Sequence, residues 1–182
     1  GGLVSVVIPT RDKERFIGDT LASIGRQTYR RWEVIVVEDG SQGETERIVK
    51  SFSRRHPWHR VEYSRNEQNC GPSHTRNTAF AKVRGEFVAL LDADDSWFPD
   101  HLTVATDALK SSGNDVAYST VVVIEDKSDL LLCVWGPEAR DLAEFPLGLF
   151  RRNFVNPSAT VLRRQVLAVH EGRVERVEQI GR

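Results

Sequence analysis

The stretch richest in chemistry is Asp92-Ala93-Asp94-Asp95, three carboxylates within four residues at the end of the apolar run Phe87-Val88-Ala89-Leu90-Leu91. The run lacks the alternation of a half-wet strand, so it predicts a strand buried on both faces. Carboxylates at the tip of such a strand sit at the carboxyl edge of a parallel sheet, where α/β folds place their ligands. Like charges this close raise one another's pKa. A divalent cation removes that penalty, and hard cations prefer oxygen ligands. A helix start competes as an explanation, because Asp and Ser cap helices and Pro99 suits a first turn. A cap consumes only one such residue, Asp95 or Ser96. Asp92 and Asp94 are left over, and metal or ligand binding accounts for them.

Two other segments have the same form. Residues 3–8 are a β-branched run that leads into Pro9-Thr10-Arg11-Asp12, and residues 33–37 lead into Glu38-Asp39-Gly40-Ser41. If the three strands are parallel, their ends meet in one crevice of hydroxyls, acceptors and dense negative charge. No G-x-G-x-x-G follows the first strand and no G-x-x-x-x-G-K-[ST] occurs anywhere, so no glycine loop cradles a phosphate. Neutralising a phosphate here therefore calls for a metal.

The elements that must hold these residues alternate from the start. Helical periodicity covers residues 13–27, with Phe16, Ile17, Leu21 and Ile24 on one face, then 44–55, 73–83 and 99–111. Strand patterns lie between them, with a short third strand at 61–63. Such βαβαβ alternation predicts a mainly parallel α/β sheet with right-handed crossovers and helices on both faces. After residue 114 the pattern changes to an antiparallel excursion, with strands over 116–124 and 130–135 flanking a polar turn at 125–129. A short helix over 141–150 and a returning strand over 159–162 follow. One domain over 1–182 is expected, with 1–112 as a nucleotide-binding half and 113–182 as an acceptor-side half.

Bulk properties narrow the partners. The chain has 182 residues, 40% hydrophobic and 28% charged, which suits one soluble domain with a sizeable core. A formal net charge of -1 gives no basic field for nucleic acid. No apolar run approaches the roughly 20 residues of a membrane span, and none resembles a signal peptide. Peripheral membrane contact stays compatible with this composition. Cys70 and Cys133 lack metal-ligand spacing and read as reduced thiols, which points to the cytoplasm or the inner face of a membrane. The absence of methionine and the Gly1-Gly2 start suggest a processed or excised chain.

In order and spacing, Val4-Ser5-Val6-Val7-Ile8-Pro9-Thr10, Val36-Val37-Glu38-Asp39-Gly40-Ser41, Asn69-Cys70-Gly71-Pro72-Ser73-His74-Thr75-Arg76-Asn77 and Leu91-Asp92-Ala93-Asp94-Asp95 resemble the motifs of family 2 glycosyltransferases. The resemblance implies a GT-A fold, a nucleotide-diphosphate sugar donor (often a UDP-sugar), Mg2+ or Mn2+, a carbohydrate or lipid-linked acceptor, and inversion at the anomeric carbon. It further implies that Pro9, Thr10 and Arg11 line the nucleoside pocket, with Asp39 at the base and Glu38 beside it. Asp92 and Ala93 would approach the ribose or donor sugar, Asp94 would ligate the metal with Asp95 assisting, and Arg76 would face the donor.

The chain departs from the family pattern in places. Many relatives carry Tyr-Asn where this chain has Arg11-Asp12, so Arg11 is expected to stack on the base through its guanidinium plane. Asn156-Pro157-Ser158, Arg163-Arg164 and Gly172 resemble the run-up to the family's general base, yet no adjacent acidic pair follows. Glu175 and Glu178 are the candidates within the chain, each also readable as a solvated helix face; the base is otherwise expected past Arg182. Two rivals follow: a GT-A module that binds nucleotide sugar without transferring it, and a nucleotidyltransferase, which would need a glycine-rich basic loop after the first strand. His74, His101 and His170 have no metal spacing and read as loop or surface histidines. Trp97 reads as core packing behind the acidic strand end.

Overall fold

The computed structural model describes residues 1–125, 128, 130–144 and 147–169. Glu175, Glu178, His170 and Gly172 lie outside the described residues, as does most of the turn expected over 125–129. A six-stranded sheet in the order β3-β2-β1-β4-β8-β5 forms the centre, built from β1 (Val4–Thr10), β2 (Trp32–Glu38), β3 (Val61–Arg65), β4 (Phe87–Leu90), β5 (Val116–Tyr118) and β8 (Thr160–Arg163). The first four strands pair in parallel, as their βαβ spacing requires, whereas β8 pairs antiparallel with both β4 and β5. The back half therefore completes the main sheet instead of standing apart from it.

The apolar runs form buried strands because both faces are covered. Val4, Val6, Ile8, Val34, Val36, Phe87 and Ala89 pack on one side against α1 (Ile17–Gly25), α2 (Thr45–Arg55) and α4 (His101–Ser112). Val7, Ile35, Val37 and Val88 point the other way, toward Ala79 and Phe80 of α3 (Pro72–Phe80) and toward Val166 and Leu167 of α7 (Gln165–Val169). This period-2 division between two apolar layers gives the strands their near-continuous hydrophobic spelling.

Several boundaries differ from the periodicity. Helix α1 starts later than residue 13, because Lys13–Phe16 turns on itself, with the N–H groups of Phe16 and Ile17 both donating to the Lys13 carbonyl. Helix α4 starts at His101 because the Pro99 carbonyl accepts from Thr28 N–H, 2.7 Å away. It ends at Gly113, whose φ of 71° supplies the left-handed stop. The segment read as one strand over 116–124 divides. Ser119 N–H donates to the Ala159 carbonyl at 3.0 Å and ends β5 in the main sheet, after which β6 (Val121–Ile124) pairs with β7 (Leu131–Trp135) as a separate antiparallel ribbon. The helix expected over 141–150 appears as two short pieces, α5 (Ala139–Ala143) and α6 (Leu147–Arg151).

Two polar residues interrupt the apolar strands. Glu33, 2% exposed, accepts from Ser5 Oγ at 2.5 Å, Arg60 Nη1 at 2.7 Å and Arg84 N–H at 2.8 Å. Burial pushes its carboxyl up, but these donors outweigh burial and hold it below the usual value. The cluster sits at the amino edge of the sheet and ties β1, β2 and the turn into β4 together.

Candidate active site at the carboxyl edge of the sheet

Register places the strand ends side by side. Thr10 pairs with Glu38, and Asp39 N–H donates to the Thr10 carbonyl at 2.8 Å. On the other side of β1, Leu91 N–H donates to the Val7 carbonyl at 3.0 Å, which aims Asp92 into the same edge. The three segments singled out in the sequence thus converge, and the chain continues from each into a short loop.

Glu38 and Asp39 shape the floor. Glu38 is 1% exposed and accepts from Tyr63 Oη at 2.9 Å, Thr45 Oγ1 at 3.3 Å and Ser41 Oγ. Burial, then the hydrogen bond to Glu38, pushes the Tyr63 hydroxyl up to about 12. Asp39 reaches the loop after β3: Oδ1 accepts from Asn66 Nδ2 at 3.0 Å and Cys70 N–H at 2.8 Å, and Oδ2 accepts from Gly71 N–H at 2.8 Å. Burial raises the Asp39 carboxyl, and these donors more than reverse it, so the group stays ionised. A carboxylate oxygen accepts two donors, so Oδ2 keeps capacity for one more N–H.

Pro9 is half-buried on β1 opposite Val37, and Arg11 is exposed at the rim. Asp12 has a φ of 51°, a left-handed conformation that Asp and Asn tolerate best. Its N–H donates to Ser41 Oγ at 3.2 Å, tying the β1 loop to the β2 loop. Thr10 is 4% exposed and its Oγ1 has no partner among the described residues.

Four residues brace the acidic loop. Arg76 of α3 places Nη2 2.6 Å from Asp92 Oδ1 and is 18% exposed, so it lies in the crevice and not on a solvated helix face. Its Nε is buried and has no partner among the described residues. Lys13 Nζ lies 2.7 Å from Asp94 Oδ2. Thr20 Oγ1 donates to the Ala93 carbonyl at 2.9 Å, fixing the middle of the motif from α1. Ser158 accepts Asp92 N–H on Oγ at 2.9 Å and Trp97 Nε1–H on its carbonyl at 2.5 Å. Burial chiefly, with the charges of Asp92 and Asp94, pushes Asp95 up, while a Ser158 hydrogen bond pulls the other way. Trp97 is 8% exposed and packs in the core, as its sequence reading holds.

A divalent cation fits this donor set in a particular way. Among the described residues, no three His, Cys, Asp or Glu side chains converge as a self-sufficient cage. Asp94 is a half-exposed carboxylate whose partner among the described residues is the Lys13 ammonium, and Asp95 senses the local excess of negative charge. One or two carboxylates completed by substrate phosphates and water is how Mg2+ commonly binds.

Lys13, Ser41, Tyr63, Asn66 and Ser158 were not picked out as site residues from sequence. Lys13 carries a local signal, since it directly follows the strand-end Asp12. Ser158 lies in the Asn156-Pro157-Ser158 segment already noted, where Asn156 Oδ1 accepts Ser158 N–H at 2.8 Å.

A family model described as glycosyl transferase family 2 matches residues 5–167. A curated relative from Escherichia coli, the UDP-Glc:alpha-D-GlcNAc-diphosphoundecaprenol beta-1,3-glucosyltransferase WfgD, is 31% identical over 126 residues, covering 69% of this chain and 48% of the relative. The putative teichuronic acid biosynthesis glycosyltransferase TuaG of Bacillus subtilis is 36% identical over 100 residues, covering 55% of this chain and 39% of the relative. Solved structures share the fold: S. aureus TarS in complex with UDP-GlcNAc superposes at a TM-score of 0.75 with 22% identity, covering 95% of this chain and 48% of that one. The mannosyltransferase PcManGT from Pyrobaculum calidifontis, in complex with GDP-Man and Mn2+, gives a TM-score of 0.72 with 21% identity over 96% of this chain and 48% of that one. The chain thus spans about half the length of these proteins.

Proposed function

The chain belongs to glycosyl transferase family 2, and we propose that it transfers a sugar from a nucleotide-diphosphate donor, a UDP-sugar, to an acceptor hydroxyl with inversion. The observation that carries this is that Thr10 Oγ1 and Arg76 Nε, two of the six buried side-chain polar atoms without a partner among the described residues, lie at the edge where the strand-end carboxylates gather. Buried polar groups are nearly always hydrogen-bonded, so unpaired ones in a cleft mark where a ligand completes the network. The named activities of the similar proteins support the reading.

In this reading Pro9, Thr10 and Arg11 bound the nucleoside, and the free capacity of Asp39 Oδ2 meets an N–H of the base. Glu38 acts indirectly, holding Ser41, Thr45 and Tyr63 so that the floor is rigid. Asp92 is oriented by Arg76 toward the ribose or sugar. Mg2+ or Mn2+, held by Asp94 with Asp95 beside it, would supply positive charge against the departing diphosphate. Arg76 adds a fixed cation on the same side of the crevice. Deprotonating the acceptor falls to a carboxylate base on the opposite side; Glu175 and Glu178, the candidates from sequence, lie outside the described residues. The acceptor side is assigned to the β6–β7 ribbon, whose Leu131, Leu132 and Val134 are exposed. Lipid-linked or polysaccharide acceptors suit a surface of this kind.

Calorimetric titration of UDP and GDP, with Mn2+ and then with EDTA, tests the proposal. Metal-dependent binding of UDP is expected, together with its loss in Asp94→Asn and an unchanged circular-dichroism melt. Equal UDP affinity in that variant would remove Asp94 from the metal, and no nucleotide binding by the parent chain would remove the transferase reading.

A further inference from the structure

The far end of the sheet carries a surface that the donor site does not use. Helices α1 and α2 both run from the carboxyl edge to the amino edge, and the segments following them, Arg26-Gln27-Thr28-Tyr29-Arg30-Arg31 and His56-Pro57-Trp58-His59-Arg60, lie against each other. His59 Nε2 is 3.0 Å from the Arg30 carbonyl, and its ring stacks on Trp32 with centroids 3.6 Å apart. A methyl group added at Gly25 would stand 2.9 Å from His56 Nε2.

This end is cationic although the chain as a whole is not. Arg26, Arg30, Arg31, Arg54 and Arg55 are all exposed. None of them has a carboxylate partner among the described residues, because the nearby Glu33 and Glu62 are engaged by Arg60 and Lys82. No Asp or Glu occurs in residues 25–32 or 53–60. Arg54 and Arg55, in the last turn of α2, complement the negative end of the helix dipole. That does not account for Arg30 and Arg31, which precede a strand, nor for Trp58, which is 93% exposed in their midst. An indole with one apolar body and one N–H donor gains most where an apolar phase meets a polar one.

We propose that this face docks on a bilayer carrying anionic phospholipids, with the arginines on headgroup phosphates and Trp58 inserted at the level of the interface. Charge complementarity selects the occupant, since guanidinium groups pair with phosphates and juxtamembrane basic clusters are drawn to anionic leaflets. The seven residues of β1 separate the two ends of the sheet by roughly 20 Å. The donor crevice at the other end therefore stays open to nucleotide sugar in solution, and docking is independent of the catalytic reading.

Co-sedimentation with vesicles of phosphatidylcholine alone, or with about 30% phosphatidylglycerol, tests this at about 0.1 M salt. Binding to the anionic vesicles only is expected, weakening as salt rises. Each arginine near such a surface contributes roughly a fivefold factor, so Arg26→Gln/Arg30→Gln/Arg54→Gln should bind about a hundredfold more weakly. Trp58→Ala should lose roughly tenfold, and the vesicle-induced blue shift of tryptophan emission should vanish in Trp58→Phe. Circular dichroism confirms that the variants fold. Equal binding to neutral vesicles, unchanged binding in the variants, or retention on heparin without vesicle binding would overturn the assignment; the last would give the patch to a soluble polyanion.

Discussion

Lys13 Nζ lies 2.7 Å from Asp94 Oδ2, joining the loops that leave β1 and β4 across 81 positions of sequence. Both side chains are about two-fifths exposed, so the pair is worth only roughly 0.2–1 kcal/mol. A divalent cation that takes Asp94 must release this ammonium. Lys13→Ala is therefore expected to tighten Mn2+ binding to nucleotide-free protein by up to about fivefold, read by calorimetry. Weaker binding in the variant would show that Lys13 helps to assemble the site and does not compete for it.

Gly40 turns the chain out of β2 with a φ of 75°, and a Cβ there would stand 2.5 Å from the Gln68 carbonyl carbon and 2.6 Å from Asn69 N. Both neighbours are backbone of the loop that Asp39 holds. Gly40→Ala must push that loop away, at an expected cost of about 1–3 kcal/mol in urea unfolding. UDP affinity should fall with it. A variant of parental stability and affinity would show that the loop gives way freely.

Glu33 makes acid stability depend on the amino edge of the sheet. Its folded pKa is lowered, so its contribution is present above its ordinary value of 4.5 and is lost as pH falls through the folded value. Glu33→Gln should cost about 1–3 kcal/mol near neutral pH, because Ser5, Arg60 and Arg84 lose a charged acceptor. The gap to the parent chain should narrow below pH 4.5. A constant gap across that range would assign the cost to packing.

His101 predicts a second, higher window. It stacks on Trp97 with centroids 4.6 Å apart, and burial chiefly lowers its pKa from 6.5 to about 4. The unfolded chain binds the extra proton first, so stability should fall as pH drops from 6.5 toward 4. The loss is of the order of 2 kcal/mol once partial solvent access is allowed for. His101→Phe, which keeps the stack and removes the titration, should flatten thermal melts over that interval. An unaltered slope would place the titration elsewhere.

The sequence by itself determined which residues would meet. Apolar spelling in Val4–Thr10, Trp32–Glu38 and Phe87–Leu90, interrupted within the first two only by Ser5 and Glu33 before the strand ends, calls for strands covered on both faces, and helical spacing between them leaves parallel pairing as the economical solution. Parallel strands end at a common edge, so Thr10, Asp39, Asp92 and Asp94 were legible as neighbours before any coordinate. Periodicity says nothing about which partner a polar side chain chooses. That Glu38 turns inward to Tyr63 while Asp39 holds the loop after β3 depends on side-chain direction and depth. The 116–124 run looks like one strand because every residue in it suits a strand or its edge, with only Ser119-Thr120 between two apolar stretches. Only the Ser119 hydrogen bond to Ala159, a contact across 40 positions, divides it between two sheets. Likewise Arg26 and Arg30 read as scattered surface charges until the fold sets them beside Arg54 and Trp58. Local spelling fixes period and burial, whereas pairings between distant segments are settled only when the chain closes on itself and every buried polar group must find its partner.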